Sequence, residues 1–247
     1  MDDAKLQLQA LLPTNLRHRP WIDSVSLRLH DLGAREPIFR AGEPMQRLYF
    51  VAKGWIHEST VLSYGIKPIS TLRIRGDALG LTWLERANRM EDVGTITPCE
   101  LISVSAEAFR DCMRQDPVLQ AFVHDELVRD MMNLRMMSAV VGQMKAPDRL
   151  AYFLFIMLHR CRRTYPNTLR TLPLPLTQEE IGRTLGLTNV SVNRAFRALE
   201  SENLIQTGRQ SVTFLDEQNF ACRFDMDKRE DLVEQLTVPL SKRSQAA

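Results

Sequence analysis

The sequence predicts an α+β protein with a β-rich N-terminal region, one long central helix and a C-terminal helix pair followed by a β-hairpin. Three observations support this order. From residue 34 onward, glycines recur about every dozen residues between short runs of β-forming residues. Residues 118–144 contain no proline and a single glycine. Residues 177–199 carry apolar side chains at helical spacing, and two short β segments follow them.

Composition places few limits on function. The chain has 247 residues, with 32 Lys and Arg against 30 Asp and Glu, so its net charge of +2 excludes neither nucleic acid nor a small ligand. The acidic N-terminus lacks the basic-then-apolar order of a signal peptide. The longest apolar run, which contains residues 151–158, is far shorter than a membrane span. We therefore expect a cytoplasmic protein with no membrane contact.

Neither the cysteines nor the histidines form a metal or catalytic pattern. The cysteines are Cys99, Cys112, Cys161 and Cys222, and the histidines are His18, His30, His57, His124 and His159. None of these lies at zinc-site spacing, and no catalytic triad order or phosphate-binding loop is present. We expect free thiols, no metal, no assigned cofactor and no enzymatic activity.

The N-terminal half predicts a small antiparallel β-barrel over residues 34–107, with strands that include 69–74 and 99–104. Residues 1–32 look helical in patches that are broken at Pro13 and Pro20.

The central helix carries an apolar stripe with alternating steps of four and three residues, the spacing of a coiled coil. This helix stripe consists of Leu127, Met131, Leu134, Ser138 and Val141. The helix either packs on its own barrel or pairs with a second copy, and the period favours a homodimer. We expect Pro147 to end it and Asp148 to cap the next helix.

Residues 177–187 predict a short helix and a tight turn. Thr177 and Glu180 have the spacing of a capping box, Ile181 and Leu185 face inward, and Gly186 supplies a left-handed corner.

The second helix of the pair has a polar, acid-free outward face. Thr188 caps it, and its inward face is Val192, Phe196 and Leu199. Such a helix suits the DNA major groove, although an ordinary helix pair on a protein surface has the same pattern. The following hairpin forms a wing with Arg209 at its tip, which favours DNA binding.

We expect an N-terminal domain over residues 1–116, a connecting helix over residues 117–145 and a second domain over residues 146–247.

The stretch RAGEPMQRLYFVAKGWI, followed by RGDALGL, resembles the β-roll of the CRP/FNR transcription regulators. Gly42-Glu43 and 76–80 match the two glycine-bearing landmarks of that family, and the helix pair with its wing stands where the family places a winged helix-turn-helix. The resemblance implies an N-terminal β-roll, a cyclic-nucleotide-binding-like jelly roll, then a dimerisation helix and a C-terminal DNA-binding domain.

The resemblance also implies roles for single residues. Arg194 falls on the family's arginine that pairs with guanine, and Ser191 falls where a hydroxyl meets phosphate. The family's glutamate, which accepts from a cytosine amino group, is replaced by Val190, which only packs or contacts a thymine methyl. Asn189 and Asn193 are suited to adenine. The predicted DNA contacts, called the reading face below, are Thr188, Asn189, Val190, Ser191, Asn193, Arg194, Arg197, Arg209 and Gln210.

In cyclic-nucleotide-binding members, a glutamate and an Arg-Ser or Arg-Thr pair follow the position of Gly80. Here Leu81 follows, and Glu91 and Asp92 would repel a cyclic phosphate. No cysteine precedes Cys99, so the iron–sulfur cluster of other members has too few ligands. Haem, thiol oxidation and the absence of any effector, as in FixK-like members, stay open.

These observations predict a homodimeric, sequence-specific DNA-binding regulator that acts on a two-fold symmetric operator without cAMP and contacts RNA polymerase. The alternative is a β-roll module that senses a cyclic nucleotide or haem and binds proteins rather than DNA. A cupin-like barrel enzyme would need a His/Glu metal cluster, and His57 is the only histidine within 34–107.

Overall fold

The computed structural model describes residues 3–65, 67–84, 86, 88–164 and 170–224. The chain divides between Val128 and Arg129 into two compact units. The helices are α1 (Asp3–Leu11), α2 (Trp21–Ser24), α3 (Ala106–Gln115), α4 (Pro117–Gln143), α5 (Ala146–Arg162), α6 (Gln178–Leu185), α7 (Asn189–Ser201) and α8 (Glu217–Arg223). The strands are β1 (Arg28–Leu32), β2 (Pro37–Phe39), β3 (Arg47–Lys53), β4 (Ile56–Ser59), β5 (Ile69–Arg73), β6 (Ala78–Leu79), β7 (Asp92–Thr95), β8 (Cys99–Ser105), β9 (Thr171–Pro173), β10 (Ile205–Gly208) and β11 (Ser211–Phe214).

The first unit is built on two four-stranded antiparallel sheets, with strand orders β1-β8-β3-β6 and β2-β7-β4-β5. Their facing sides share one apolar cluster that includes Val51, Ile56, Val93 and Leu101. These residues alternate along their strands with residues that face outward, as the pleat requires. The architecture confirms the predicted β-roll.

Helices cover the outer side of the first sheet. Phe50 of β3 packs there with Leu8, Trp21, Phe109 and Phe122 in a second apolar cluster, and the Trp21 and Phe109 rings meet edge to face at 5.7 Å.

A charged pair joins the N-terminal segment to the start of α4. Arg19 donates from Nε and Nη2 to the two carboxylate oxygens of Asp116 at 2.8 and 2.6 Å. The Arg19 hydrogen bonds hold the pKa of the Asp116 carboxyl below its usual range. Asp116 also accepts from the backbone N–H of Val118 at 3.0 Å, so it caps α4 as well.

The β-roll starts earlier than the sequence predicts. The prediction of helical patches over 1–32 is correct for α1 and α2 but wrong for β1, and the predicted start of the barrel at residue 34 is therefore too late. Leu29 of β1 pairs with Ile102 of β8, a partner far along the chain. Such a pairing has no local sequence signal.

The second unit is arranged around α5, in which every residue from Leu150 to Leu158 is buried. The prediction that Pro147 ends the long helix and Asp148 caps the next is wrong. The long helix ends at Gln143, Lys145 is the N-cap of α5, and Pro147 lies in the first turn. That position suits proline because a first-turn N–H has no partner inside the helix.

The short helix α8 packs onto α5 through aromatic rings. Phe220 lies 6.1 Å from the Phe155 ring and 4.8 Å from the Phe214 ring. Arg162 donates two hydrogen bonds of 2.6 Å to Glu217, and these lower the pKa of that carboxyl. The sequence also predicts a helix around residues 232–236, a stretch that lies outside the described residues. Within the described part of the chain, no helix is long and apolar enough to span a membrane.

Candidate nucleic-acid interface

The helix α6 begins at the predicted capping box. The Glu180 backbone N–H donates to Thr177 Oγ1 at 3.2 Å, and the Thr177 N–H donates to Glu180 Oε2 at 2.8 Å. Ile181 and Leu185 are buried, and Gly186 ends the helix with φ of +64°, in the left-handed region. All three predictions for this helix are confirmed.

The corner between α6 and α7 is tightly packed. A Cβ added at Gly182 would lie 2.5 Å from the backbone oxygen of Leu187, and the Leu187 N–H donates to the Gly182 carbonyl at 2.9 Å. Arg149, in the first turns of α5, donates from Nη1 to the Leu185 carbonyl at 3.2 Å. The rest of the second unit therefore fixes the direction in which α7 leaves the corner.

Thr188 caps α7 as predicted, because its Oγ1 accepts from the Ser191 N–H at 3.2 Å. Val192 and Leu199 are fully buried, but Phe196 is only half-buried, and Ala195 occupies the inward position instead. The prediction that Phe196 faces the core is therefore only partly correct. At 3.6 residues per turn, the buried Val192, Ala195 and Leu199 lie on one side of the helix, and Phe196 falls about 70° from the middle of that side.

The wing follows α7 directly. Strands β10 and β11 form a hairpin in which Gly208 pairs with Ser211, and β9 adds a third strand. Glu200 accepts from the Thr207 backbone N–H at 3.1 Å, which links the hairpin to α7. Arg209 and Gln210 are exposed at the tip, as predicted.

The reading face is exposed and largely without internal partners. Ser191 and Asn193 are half-buried, and the other seven residues of the set are exposed. Among the described residues, no side-chain hydrogen bond or ion pair engages Asn189, Asn193, Arg194, Arg197, Arg209 or Gln210. By contrast, the Thr188 and Ser191 hydroxyl oxygens lie 3.0 Å apart and share one hydrogen bond, which uses the hydrogen of one hydroxyl and leaves the other hydrogen available.

The nearby carboxylates Glu200 and Glu202 have hydrogen-bond partners of their own. Glu200 accepts from Thr207, and Glu202 accepts from Arg223 at 3.0 Å. The first turn of α7 contains no acidic residue. An anionic ligand at this face therefore meets the exposed side chains of Arg194, Arg197 and Arg209.

A groove of about 330 Å³ separates α7 from the wing. Leu176 and Phe196 contribute apolar surface to it, and Asn193, Arg197 and Gln210 contribute polar groups. These three polar residues belong to the reading face, and the lining also includes Glu200 and Thr207. Helix and wing therefore border one groove.

The predicted helix stripe is only partly covered within the chain. The exposed fractions of Met131 and Leu134 are 49% and 48%, and Ser138 is exposed as well. Leu127 and Val141 are half-buried at the two ends of the stripe. Two large apolar side chains therefore lie beside each other on the open side of α4, one turn apart.

The β-roll holds an arginine whose location the sequence did not predict. Arg89 is 6% exposed, and its guanidinium lies 3.5 Å from the centre of the Phe39 ring. Its Nη2 donates to the Arg47 carbonyl at 2.8 Å and to Met45 Sδ at 3.0 Å. Burial lowers the pKa of Arg89. No local signal reveals this, because the partners lie more than forty residues away along the chain.

The two acidic residues predicted to repel a phosphate have partners of their own. Asp92 accepts from the backbone N–H of Ala41 at 3.0 Å and from Lys67 at 2.9 Å, and these contacts lower the pKa of its carboxyl. Glu91 accepts from the indole N–H of Trp83 at 2.5 Å.

Cys99 and Cys161 are buried, and burial raises the pKa of the Cys99 thiol. In the described part of the chain, no group of three His, Cys, Asp or Glu side chains is placed to hold a metal ion.

Both units match known protein-family models. Residues 29–116 match the cyclic nucleotide-binding domain, and residues 148–222 match the Crp-like helix-turn-helix domain. The chain belongs to the CRP/FNR family. CRP/FNR proteins are transcription regulators rather than enzymes, and this member is a DNA-binding transcription regulator of that type.

The CRP/FNR assignment agrees with similarity to individual proteins. The chain is 26% identical over 187 residues to the cAMP-activated global transcriptional regulator CRP of Haemophilus influenzae, covering 74% of this chain and 82% of that protein. It is 26% identical over 203 residues to the nitrogen fixation regulation protein FixK of Bradyrhizobium diazoefficiens, covering 79% and 84%. The structure of FixK2 from Bradyrhizobium japonicum has the same fold, with a TM-score of 0.71, 21% identity, and coverage of 80% and 96%.

Proposed function

We propose that this regulator acts in the cytoplasm as a homodimer on a two-fold symmetric operator, without a cyclic nucleotide, and there recruits or blocks RNA polymerase. The observation that carries the proposal is the reading face. Its amide and guanidinium groups lack partners among the described residues. Exposed donors and acceptors at the N-terminal part of such a helix are what base edges in the major groove require.

Each residue type suits a different part of the DNA. The Arg194 fork matches O6 and N7 of guanine, and Asn189 and Asn193 match N6 and N7 of adenine. The hydroxyls of Thr188 and Ser191 suit phosphate oxygens. Arg197, with Arg209 and Gln210 of the wing, completes a set of phosphate contacts that fix the register.

The helix stripe supports the homodimer. Burying Leu134 and Met131 of two copies against each other removes the exposed half of four large apolar side chains from water, each half worth about 0.7–1.5 kcal/mol. Two copies related by a two-fold axis can place their recognition helices about 34 Å apart, in successive major grooves of one DNA face.

Two residues of the β-roll support the proposal that no cyclic nucleotide is required. Arg89 is engaged by Phe39, Met45 and the Arg47 carbonyl, so a cyclic phosphate would have to displace these contacts. Leu81, where the resemblance places a ribose-binding glutamate, is buried and apolar. Identity to the cAMP-activated relative equals identity to FixK, so these residues, rather than overall similarity, support independence from cAMP.

The test is selection of duplex DNA from a random pool by the purified full-length protein, with and without cAMP. We expect a two-fold symmetric motif with half-sites about 10 base pairs apart, enriched equally in both arms. Enrichment only with cAMP would contradict the effector-free proposal. A pool that stays random in both arms would contradict DNA reading and favour the protein-partner alternative.

A further inference from the structure

Val190 is the apolar member of an otherwise polar reading face. It is the second residue of α7 and is 60% exposed, whereas Val192 and Ala195 of the same helix are 0% and 1% exposed. The fold therefore does not need the Val190 side chain. Its position in the first turn is the part of a recognition helix that enters the major groove.

The chemistry of valine narrows what it can contact. Its side chain ends in two methyl groups and neither donates nor accepts hydrogen bonds. The major-groove edges of the four base pairs offer hydrogen-bonding atoms and one apolar group, the C5-methyl of thymine. Covering a cytosine amino group or a guanine oxygen with valine would remove its bond to water without replacing it.

The neighbouring residues do not restore a contact to cytosine. The first turn of α7 contains no acidic residue, so no carboxylate is placed to accept from a cytosine amino group. Asn189 and Asn193 flank Val190 and have no partner among the described residues, and asparagine prefers adenine. The whole first turn therefore favours A·T pairs.

Spacing along the helix locates the contacted base pair. Val190 and Arg194 lie four residues apart on one face, which is a rise of about 6 Å. Successive base pairs are separated by about 3.4 Å. Val190 therefore meets a base pair one or two steps from the pair whose guanine Arg194 contacts.

We propose that Val190 is a specificity residue that reads the methyl group of a thymine in each half-site, one or two base pairs from the guanine bound by Arg194. This inference rests on the proposed DNA-binding function and adds the identity of one base pair.

The experiment replaces thymidine by deoxyuridine, one position at a time, in the motif selected by the purified full-length protein. This change removes only the C5-methyl group and keeps base pairing. We expect about a fourfold loss of affinity per half-site at one thymine, the value of one buried methyl group, and no loss at thymines elsewhere. The control is Val190→Ala, which should bind both duplexes with equal affinity.

A second variant tests the same contact from the protein side. Val190→Glu supplies the carboxylate that the family carries there and should shift the preference from thymine to cytosine at that one position. Equal affinity of the wild-type protein for thymidine and deoxyuridine at every position, in a motif that it binds tightly, overturns the Val190 assignment alone. Failure to select any motif overturns the DNA-binding function together with it.

Discussion

The interior of the β-roll and the reading face of the winged unit use arginine in opposite ways. In the β-roll, Arg73 forms a buried pair with Glu58, at 3.1 and 3.3 Å, and Arg89 is enclosed by neutral acceptors and an aromatic ring. In the winged unit, Arg194 and Arg197 are exposed and have no partner among the described residues. A buried guanidinium must be satisfied inside the fold, whereas an exposed one stays available to an external anion. The exposed arginines of the reading face, rather than a net charge of +2, therefore support the proposed DNA contact.

The largest effect is expected from a change in the helix stripe. The stripe exposes apolar side chains, whereas the reading face exposes cationic ones. Leu134→Glu removes about 0.7–1.5 kcal/mol of burial per copy, hence about 1.4–3 kcal/mol per dimer, and also places like charges across the contact. Analytical ultracentrifugation should show a monomer, and operator affinity should fall with it. Ala139→Glu, exposed and off the stripe, should stay dimeric. A dimeric Leu134→Glu protein would show that the stripe is not the interface.

The contrast between the two kinds of arginine can be tested directly. Arg194→Ala should cost about 1–3 kcal/mol per half-site and relax the preference for one guanine, as measured by binding to a panel of operator variants. Arg89→Met should lower the stability of the β-roll and leave base preference unchanged, because its contacts with Phe39, Met45 and the Arg47 carbonyl lie within the β-roll. An altered base preference in Arg89→Met would show that Arg89 is not a purely structural arginine.

A smaller effect is expected at the corner that aims α7. In Gly182→Ala, the new Cβ would lie 2.5 Å from the Leu187 oxygen, so we expect a loss of about 1–3 kcal/mol in urea unfolding and weaker operator binding. Gly142→Ala is the matched control, since its Cβ meets nothing within 4 Å, and it should gain about 0.5–1 kcal/mol as a helical alanine. Equal stability of the two variants would show that the corner is not tight.

The smallest effect concerns His159, a half-buried histidine of the winged unit. Burial, followed by the charge of Arg162, lowers the pKa of His159, so the folded state binds its proton less readily than the unfolded chain. Stability is therefore lost as the pH falls below about 6.5, the unfolded value. Between pH 7.5 and 5.5 this should lower Tm by no more than about 2–4 °C, and His159→Gln should reduce the fall.

Glu217 affects the stability of the protein in a separate, more acidic pH range. The Arg162 hydrogen bonds lower the pKa of Glu217. Its contribution to folding stability is therefore present above the pKa of a glutamate in the unfolded chain and is lost in stronger acid. Glu217→Gln should leave the change between pH 7.5 and 5.5 intact, which separates the two groups by circular dichroism melting. Loss of the pH response in Glu217→Gln, but not in His159→Gln, would reverse this assignment.

The features that sequence predicted correctly are those with short-range causes. The capping box at Thr177, the left-handed Gly186 and the cap at Thr188 each involve residues within a few positions of one another. Their types alone therefore indicate the geometry. The regular spacing of glycines in the β-roll also has a short-range cause, because tight turns between strands are local structures.

The features that sequence missed depend on partners far along the chain. The strand β1 is defined by β8, and the inward direction of Arg89 by Phe39, Met45 and the Arg47 carbonyl. Pro147 was read as a helix end because proline breaks helix interiors, but it is equally suited to a first turn. Periodicity placed Phe196 inward, whereas the smaller Ala195 fills that position.

The isolation of the reading face has a consequence for how this regulator diverges. Because Asn189, Val190, Asn193 and Arg194 make no side-chain bonds that hold the described fold together, substitutions there leave stability within about 0.5 kcal/mol. Gly182 and Val192 beneath them have no such freedom. Substitutions on the reading face can therefore change the preferred operator sequence one base pair at a time while folding stability stays constant. New regulatory targets can then be acquired without any loss of stability.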